Sequence, residues 1–128
     1  MDGRVPMGAI LIQEENIDKN PRYFMEWNGN SSIDHCELLL LQKAQNLGWD
    51  LRHCTIVVTC EPCVMCFGAL SLAKIKKIIF GCYNDKFGFF SGGYNLLNNG
   101  LFQPEIIGGI QEDFWKNVLK DFFRGLRD

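Results

Sequence analysis

Long apolar runs are missing from this 128-residue sequence. No stretch approaches the roughly 20 residues needed to span a bilayer, so no membrane helix is expected. The opening MDGRVPMGAILIQ lacks a basic start and a small-residue cleavage site, which argues against a secretory signal. An excess of positive charge is missing as well: 13 Lys and Arg stand against 15 Asp and Glu, for a formal net charge of −2. A protein that coats nucleic acid non-specifically depends on many phosphate contacts, so that class is excluded and a nucleic-acid substrate would need a local basic patch. There is no internal repeat, low-complexity tract or long linker, and the length fits one compact domain over residues 1–128. What is present in quantity is cysteine, six in all, beside a hydrophobic fraction of 47% that can build a core without disulfide staples. Two of the six, Cys63 and Cys66, are spaced as metal ligands. A reducing intracellular compartment follows from that reading, the cytoplasm, or also the nucleus in a eukaryote.

The hydrophobic pattern alternates between strands and helices. Val5 to Gln13 reads as a buried strand and Tyr23 to Trp27 as a second, joined as a hairpin by the polar segment from Glu14 to Pro21. His35 to about Leu47 reads as a largely buried helix that Gly48 stops. Thr55 to Cys60 is β-branched and apolar, Pro62 falls where a helix would begin, and Lys77 to Cys82 is another apolar strand. This β-α-β unit implies parallel strands in a sheet covered by helices, hence a three-layer α/β/α sandwich around a mixed sheet. Residues 83–104 read as an irregular functional loop and Glu105 to Gly108 as a last strand. A final helix places Phe114, Trp115, Val118, Leu119, Phe122, Phe123 and Leu126 on one broad apolar stripe.

The chemistry concentrates in two short stretches, His35-Cys36-Glu37 and Glu61-Pro62-Cys63-Val64-Met65-Cys66. Two thiolates one helical turn apart can converge on a single ion, and a helix N-terminus favours their negative charge. His35 supplies a third ligand, which leaves the fourth tetrahedral position of a zinc ion for water, as in catalytic sites. Glu37, two residues from that ligand, can move protons between the water, a ring nitrogen and a leaving amine. The reaction class this arrangement suggests is hydrolytic deamination.

The H-x-E and P-C-x-x-C pattern resembles the cytidine deaminase superfamily. Val5-Pro6-Met7-Gly8-Ala9, the 61–66 run with Gly68-Ala69 after it, and Asp121-Phe122-Phe123-Arg124 are similar to the tRNA adenosine deaminases. Gly81-Cys82-Tyr83-Asn84-Asp85-Lys86-Phe87-Gly88 resembles the catalytic subunit of the eukaryotic heterodimeric enzyme more than the bacterial homodimer. The resemblance implies conversion of the wobble adenosine of a tRNA anticodon loop to inosine, with activated water adding at C6 and Glu37 protonating N1 and then the amino group. It implies that Val5 and Asn28 line the base or ribose pocket, and that Asn84, Phe123 and Arg124 lie on the side receiving the anticodon loop. It also implies a dimer, either of identical chains or with a related deaminase-like subunit. Cys36 stands where the family usually has alanine, and the loop from Asn28 to His35 is shorter than in the bacterial enzymes. The family usually places a helix before the first strand and this sequence starts almost at that strand, so the expectation is either a truncated chain or a neighbour that covers the exposed sheet face.

Other readings of the same residues stay open at this point. Asp34 and Glu37 have the spacing of a helix capping box. Cys60, Cys63 and Cys66 also open an iron–sulfur motif, although position 70 is Leu where a further thiol would stand, and Cys54 could complete a closed structural zinc site. His53 has no ligand-spaced companion and reads as a loop histidine. Lys74, Lys76 and Lys77 are either solvated surface or an RNA contact. Lys116, Lys120, Arg124 and Arg127 alternate with Asp113, Asp121 and Asp128, so the last helix is not expected to carry a basic stripe. Phe87, Phe89, Phe90 and Tyr94 can stack on unpaired bases or pack on the preceding strand. The same zinc and glutamate would equally serve a deaminase of a free base, nucleoside or nucleotide, of cytosine or guanine type. A non-catalytic binding subunit would have no use for Glu37.

Overall fold

The computed structural model describes residues 7–13, 22–29, 33, 35–94, 96 and 102–127. Strands β1 (Gly8–Gln13), β2 (Arg22–Trp27), β3 (Cys54–Cys60), β4 (Lys77–Cys82) and β5 (Glu105–Ile107) form one sheet in the order β2-β1-β3-β4-β5. The β1–β2 and β1–β3 pairs are antiparallel, whereas β3–β4 and β4–β5 are parallel. The sheet is therefore mixed, as the β-α-β pattern predicts. The turn over residues 14–21 lies outside the described residues.

Helices α1 (Cys36–Asn46) and α2 (Val64–Leu72) cover one face, and α3 (Glu112–Arg127) packs against β4 on the other. Period-two alternation sorts the strand residues between them. Leu11, Ile56, Val58, Ile78 and Phe80 point into the core with Leu40, Phe67 and Leu70 from the two helices. Gly81 faces the opposite way, where a side chain would collide with the Trp115 ring of α3. Among the described residues that second face is only partly covered: Ile10, Met25, Trp27, Val57, Ile79 and Trp115 line an apolar groove of about 230 Å³.

Both core helices stop in the same way. Trp49 N–H donates to Ala44 O and Gly48 N–H to Gln45 O, with Gly48 at φ +74°. Those two bonds and a left-handed residue define a Schellman cap. At the end of α2, Ile75 N–H donates to Leu70 O and Lys74 N–H to Ser71 O, with Lys74 at φ +59°. Lys74 thus closes a helix by its backbone.

The ring of Phe67 stacks on Phe89 with centroids 4.1 Å apart and planes 8° from parallel. This pair joins α2 to the segment after β4, and both residues are buried. Phe67→Ala should lower unfolding free energy by about 3–5 kcal/mol, read as a reduced urea midpoint at unchanged m-value.

The apolar stripe of α3 is only partly buried, with Phe114 and Phe123 exposed and Trp115, Val118, Leu119 and Phe122 half-buried. Two sequence expectations need correction. Helix α2 starts at Val64 with Cys63 as its N-cap, so Pro62 precedes the helix and does not open it. The capping box does not form as expected either. His35 holds the N-cap position of α1, one residue late for a box from Asp34, which itself lies outside the described residues. Among the described residues, no helix is long and apolar enough to cross a membrane.

Candidate active site

The carboxyl end of β3 delivers residues 60–63 to the start of α2, beside the start of α1. Ligands gather at such strand ends because the following helices point their unpaired N–H groups there. The two sequence stretches meet in this place. His35 Nδ1 lies 3.5 Å from Cys63 Sγ and 3.4 Å from Cys66 Sγ. The three donor atoms lie within 4.8 Å of one another. Zinc bonds of about 2.3 Å to sulfur and about 2.0 Å to nitrogen at a tetrahedral angle would place such donors about 3.6 Å apart. One imidazole nitrogen and two sulfurs at these separations fit zinc, and three protein donors leave a position open.

The thiols differ in their electrostatics. Cys63 is pulled down to about 5, first by the hydrogen bond that Cys66 donates to it, and further by backbone N–H groups of Met65 and Cys66 and by His35, against the cost of burial. Cys66 is pushed up because it holds the shared proton and is buried. A bound cation would displace that proton. Cys60 is not part of the donor group: it pairs in register with Cys82 on β4, and that neighbour and burial push its thiol up. Cys54 donates to Asp50 O at 3.5 Å. Among the described residues, the group whose donor atoms converge is His35, Cys63 and Cys66, so the iron–sulfur reading finds no further thiol in it.

Glu37 is 6% exposed, and burial raises its carboxyl above the ordinary range, partly offset by a hydrogen bond from the Cys36 thiol to Oε1 at 3.0 Å. The cysteine between the histidine and the glutamate thus contacts the acid. Burial and the Glu37 charge push the Cys36 thiol up in turn. Glu37, His35, Cys63 and Asn84 line a cavity of about 30 Å³, enough for a water molecule. The buried acid and the donor group share this small space.

The other expected site residues divide. Val5 lies outside the described residues. Asn28 Oδ1 accepts the Cys36 N–H at 2.9 Å, so this side chain caps α1 from another loop while also lining the cavity. Asn84 Oδ1 accepts the Phe87 N–H at 3.1 Å and lines both the small cavity and a wider one of about 890 Å³ outside it. Tyr83, Phe87, Tyr94 and Phe123 edge that wider cavity. Phe89 belongs to the core instead. Arg124 lies just beyond, in an adjoining groove with Lys86, Lys116 and Lys120, where the described lining residues include no carboxylate. The last helix therefore does present a basic face, contrary to the expectation drawn from its alternating charges. Lys116, Lys120 and Arg124 line up at i, i+4 and i+8 along the helix, in a row that begins with Glu112, while Asp113 and Asp121 fall on other rows. The Lys74–Lys77 run starts β4 at the end opposite the cavity, and Lys77 Nζ lies 3.8 Å from Glu105 Oε2. His53 sits in a 3₁₀ turn (Leu51–His53) capped by Asp50, whose carboxyl the Arg52 guanidinium holds down at about 2.

An open three-donor metal site at two helix starts, with a buried carboxylate facing a water-sized space, defines a zinc-dependent deaminase centre. Residues 1–82 match the family described as the cytidine and deoxycytidylate deaminase zinc-binding region. The chain belongs to that family. A tRNA-specific adenosine deaminase of Bacillus subtilis (strain 168) is 37% identical over 129 residues, covering 98% of this chain and 80% of that protein. Another, from Streptococcus pyogenes serotype M1, is 30% identical over 128 residues, covering 97% and 74%. Among solved structures, one from a study of A-to-I editing by tRNA:A34 deaminases superposes with a TM-score of 0.75 at 24% identity, over 88% of this chain and 84% of that one. A guanine deaminase of Nitrosomonas europaea reaches 0.64 at 19% identity, over 91% and 71%. At those identities the likeness is one of fold.

Proposed function

We propose that this protein is a tRNA adenosine deaminase that converts the wobble adenosine of an anticodon loop to inosine, and that residues 1–128 act as one deaminase domain. The observation that carries the choice of substrate is the surface around the small cavity. Exposed Tyr83, Phe87, Tyr94 and Phe123 edge its mouth, and Lys86, Lys116, Lys120 and Arg124 line the groove beside it. Single-stranded nucleic acid is held by this combination, aromatic faces for bases and cations for the backbone. A free base would need the pocket but not the cationic groove. The naming of both relatives as tRNA-specific adenosine deaminases supports the same substrate.

His35, Cys63 and Cys66 are assigned to the metal and Glu37 to proton transfer. Bound there, zinc supplies Lewis-acid activation of water near neutral pH. Glu37 takes a proton from the attacking water, passes it to adenine N1 and then delivers one to the departing amino group, so that C6 exchanges nitrogen for oxygen and ammonia leaves. Burial suits this role, because raising the carboxyl above its ordinary range makes it a stronger proton acceptor. Val5 and Asn28 are assigned to the base or ribose, and Asn84, Phe123 and Arg124 to the side that receives the anticodon loop. Pairing with a second deaminase-like chain, identical or related, belongs to the same proposal.

The test is incubation of the purified protein, alone and with a candidate related subunit, with tRNA and separately with free cytosine, guanine and adenosine, followed by assay for inosine and ammonia. Inosine at the wobble position is expected. Turnover of free bases alone would overturn the substrate and leave the chemistry standing. A second measurement addresses the groove: Lys116→Ala with Lys120→Ala should weaken tRNA binding and flatten the plot of log affinity against log salt by about 1 for each phosphate that is no longer neutralised. An unchanged slope would remove the groove from the RNA path.

A further inference from the structure

Glu61 is a second buried carboxylate lining the small cavity, assigned above neither to the metal nor to the proton transfer. It is 2% exposed, immediately before Pro62 and Cys63, and lies outside the donor group. Its oxygens are occupied by the backbone of a distant segment. Oε1 accepts the Asn84 N–H at 3.0 Å, and Oε2 accepts both the Phe90 and Ser91 N–H groups at 3.0 Å. A carboxylate receiving several N–H donors makes charge-assisted bonds, stronger than those between neutral groups.

The segment is fastened on both sides of this acid. Val64 N–H donates to Phe87 O at 3.2 Å and Phe89 N–H to Pro62 O at 3.0 Å, while Cys63 and Gly88 form an isolated antiparallel bridge. Gly88 is where the backbone passes over the carboxylate: a Cβ there would lie 2.5 Å from Glu61 Cδ and 2.5 Å from Asn84 O. Residues 84–91 are thus clasped onto the turn that carries Cys63. The same segment brings Asn84 and Phe87 to the cavity. One side chain therefore ties the metal-ligand turn to the wall that faces the substrate.

We propose that Glu61 is a positioning residue for the deamination, holding the 84–91 segment at the distance from the metal site that lets Asn84 and Phe87 meet the substrate. This rests on the deaminase reading above for its effect on turnover, but the clasp itself does not. Glu61→Gln keeps the size and removes one acceptor, turning an NH2 group toward backbone donors. Hydrogen exchange at the amides of Asn84, Phe90 and Ser91 should accelerate in the zinc-loaded variant, while exchange in β3 and β4 and the zinc content stay as in the parent. With tRNA, kcat/KM should fall by about 10- to 100-fold, the scale of a hydrogen bond to a charged group, and because Asn84 and Phe87 contact the substrate without reacting, the loss should lie mainly in KM.

A general loss of stability would speed exchange throughout the sheet and would not favour KM. Gly88→Ala attacks the same clasp from the segment's side and should reproduce the local exchange pattern if Glu61→Gln does not accumulate as folded protein. Unchanged protection at these three amides in a folded variant overturns the proposal. So does lost protection with unaltered kcat and KM in an active enzyme. If the parent deaminates neither tRNA nor free bases, the deaminase reading falls and the positioning role falls with it, while the exchange data still decide the clasp.

Discussion

Glu37→Gln is expected to keep its zinc and to lose kcat by about 10²–10⁴-fold, the usual contribution of a positioned acid–base group. The separation of metal content from turnover is the informative part. The three donors are His35 Nδ1 and the sulfurs of Cys63 and Cys66, so exchanging one carboxyl oxygen for an amide leaves them in place. The amide keeps the volume of a side chain that is only 6% exposed, and packing of α1 should persist. What disappears is the capacity to take up and return a proton beside the water-sized cavity. Metal analysis of the dialysed variant and single-turnover assay with tRNA measure the two quantities. Loss of zinc together with activity would show that Glu37 supports the metal, and the assignment of proton transfer would have to be withdrawn.

Cys66→Ser should show the opposite signature, loss of metal first and of turnover as a consequence. A hydroxyl is nearly the size of the thiol but a far poorer zinc ligand, and two remaining donors do not make a tight site. Zinc content after dialysis against a chelator should fall well below stoichiometric. Turnover should fall by about 10³-fold or more, because Lewis-acid stabilisation amounts to several kcal/mol. The parent, stripped by chelator and reloaded, should regain activity. Acid should have a related effect on the parent: the Cys66 proton must leave when metal binds, and its thiol is held protonated by Cys63 and burial, so zinc affinity should decline as pH falls. Full turnover in a variant free of zinc would refute the metal assignment.

Local patterns were informative where the signal lies in neighbouring residues. The β3-α2-β4 unit could be read from β-branched runs on either side of Pro62, and the metal motif from spacing within one turn. Gly48 marked the end of α1, and its left-handed φ shows why a glycine serves there. Lys74 gave no such signal, because it takes the same conformation without being glycine. Charge alternation along α3 was misleading for a related reason. Linear order mixes cations and acids, while the helical repeat places Lys116, Lys120 and Arg124 along one groove with Lys86 from a different segment.

From its residues alone, then, the chain determined which groups could hold an ion and which acid could serve them, since ligand type and helical spacing are properties of short segments. Only the folded arrangement decided that Asn28 caps the helix carrying the acid, that Phe89 enters the core while Phe87 stays outside, and that Glu61 secures a segment more than twenty positions away. Those relations depend on which backbone N–H groups are left unpaired once the sheet has formed, and burial obliges each of them to find a partner wherever the chain happens to pass.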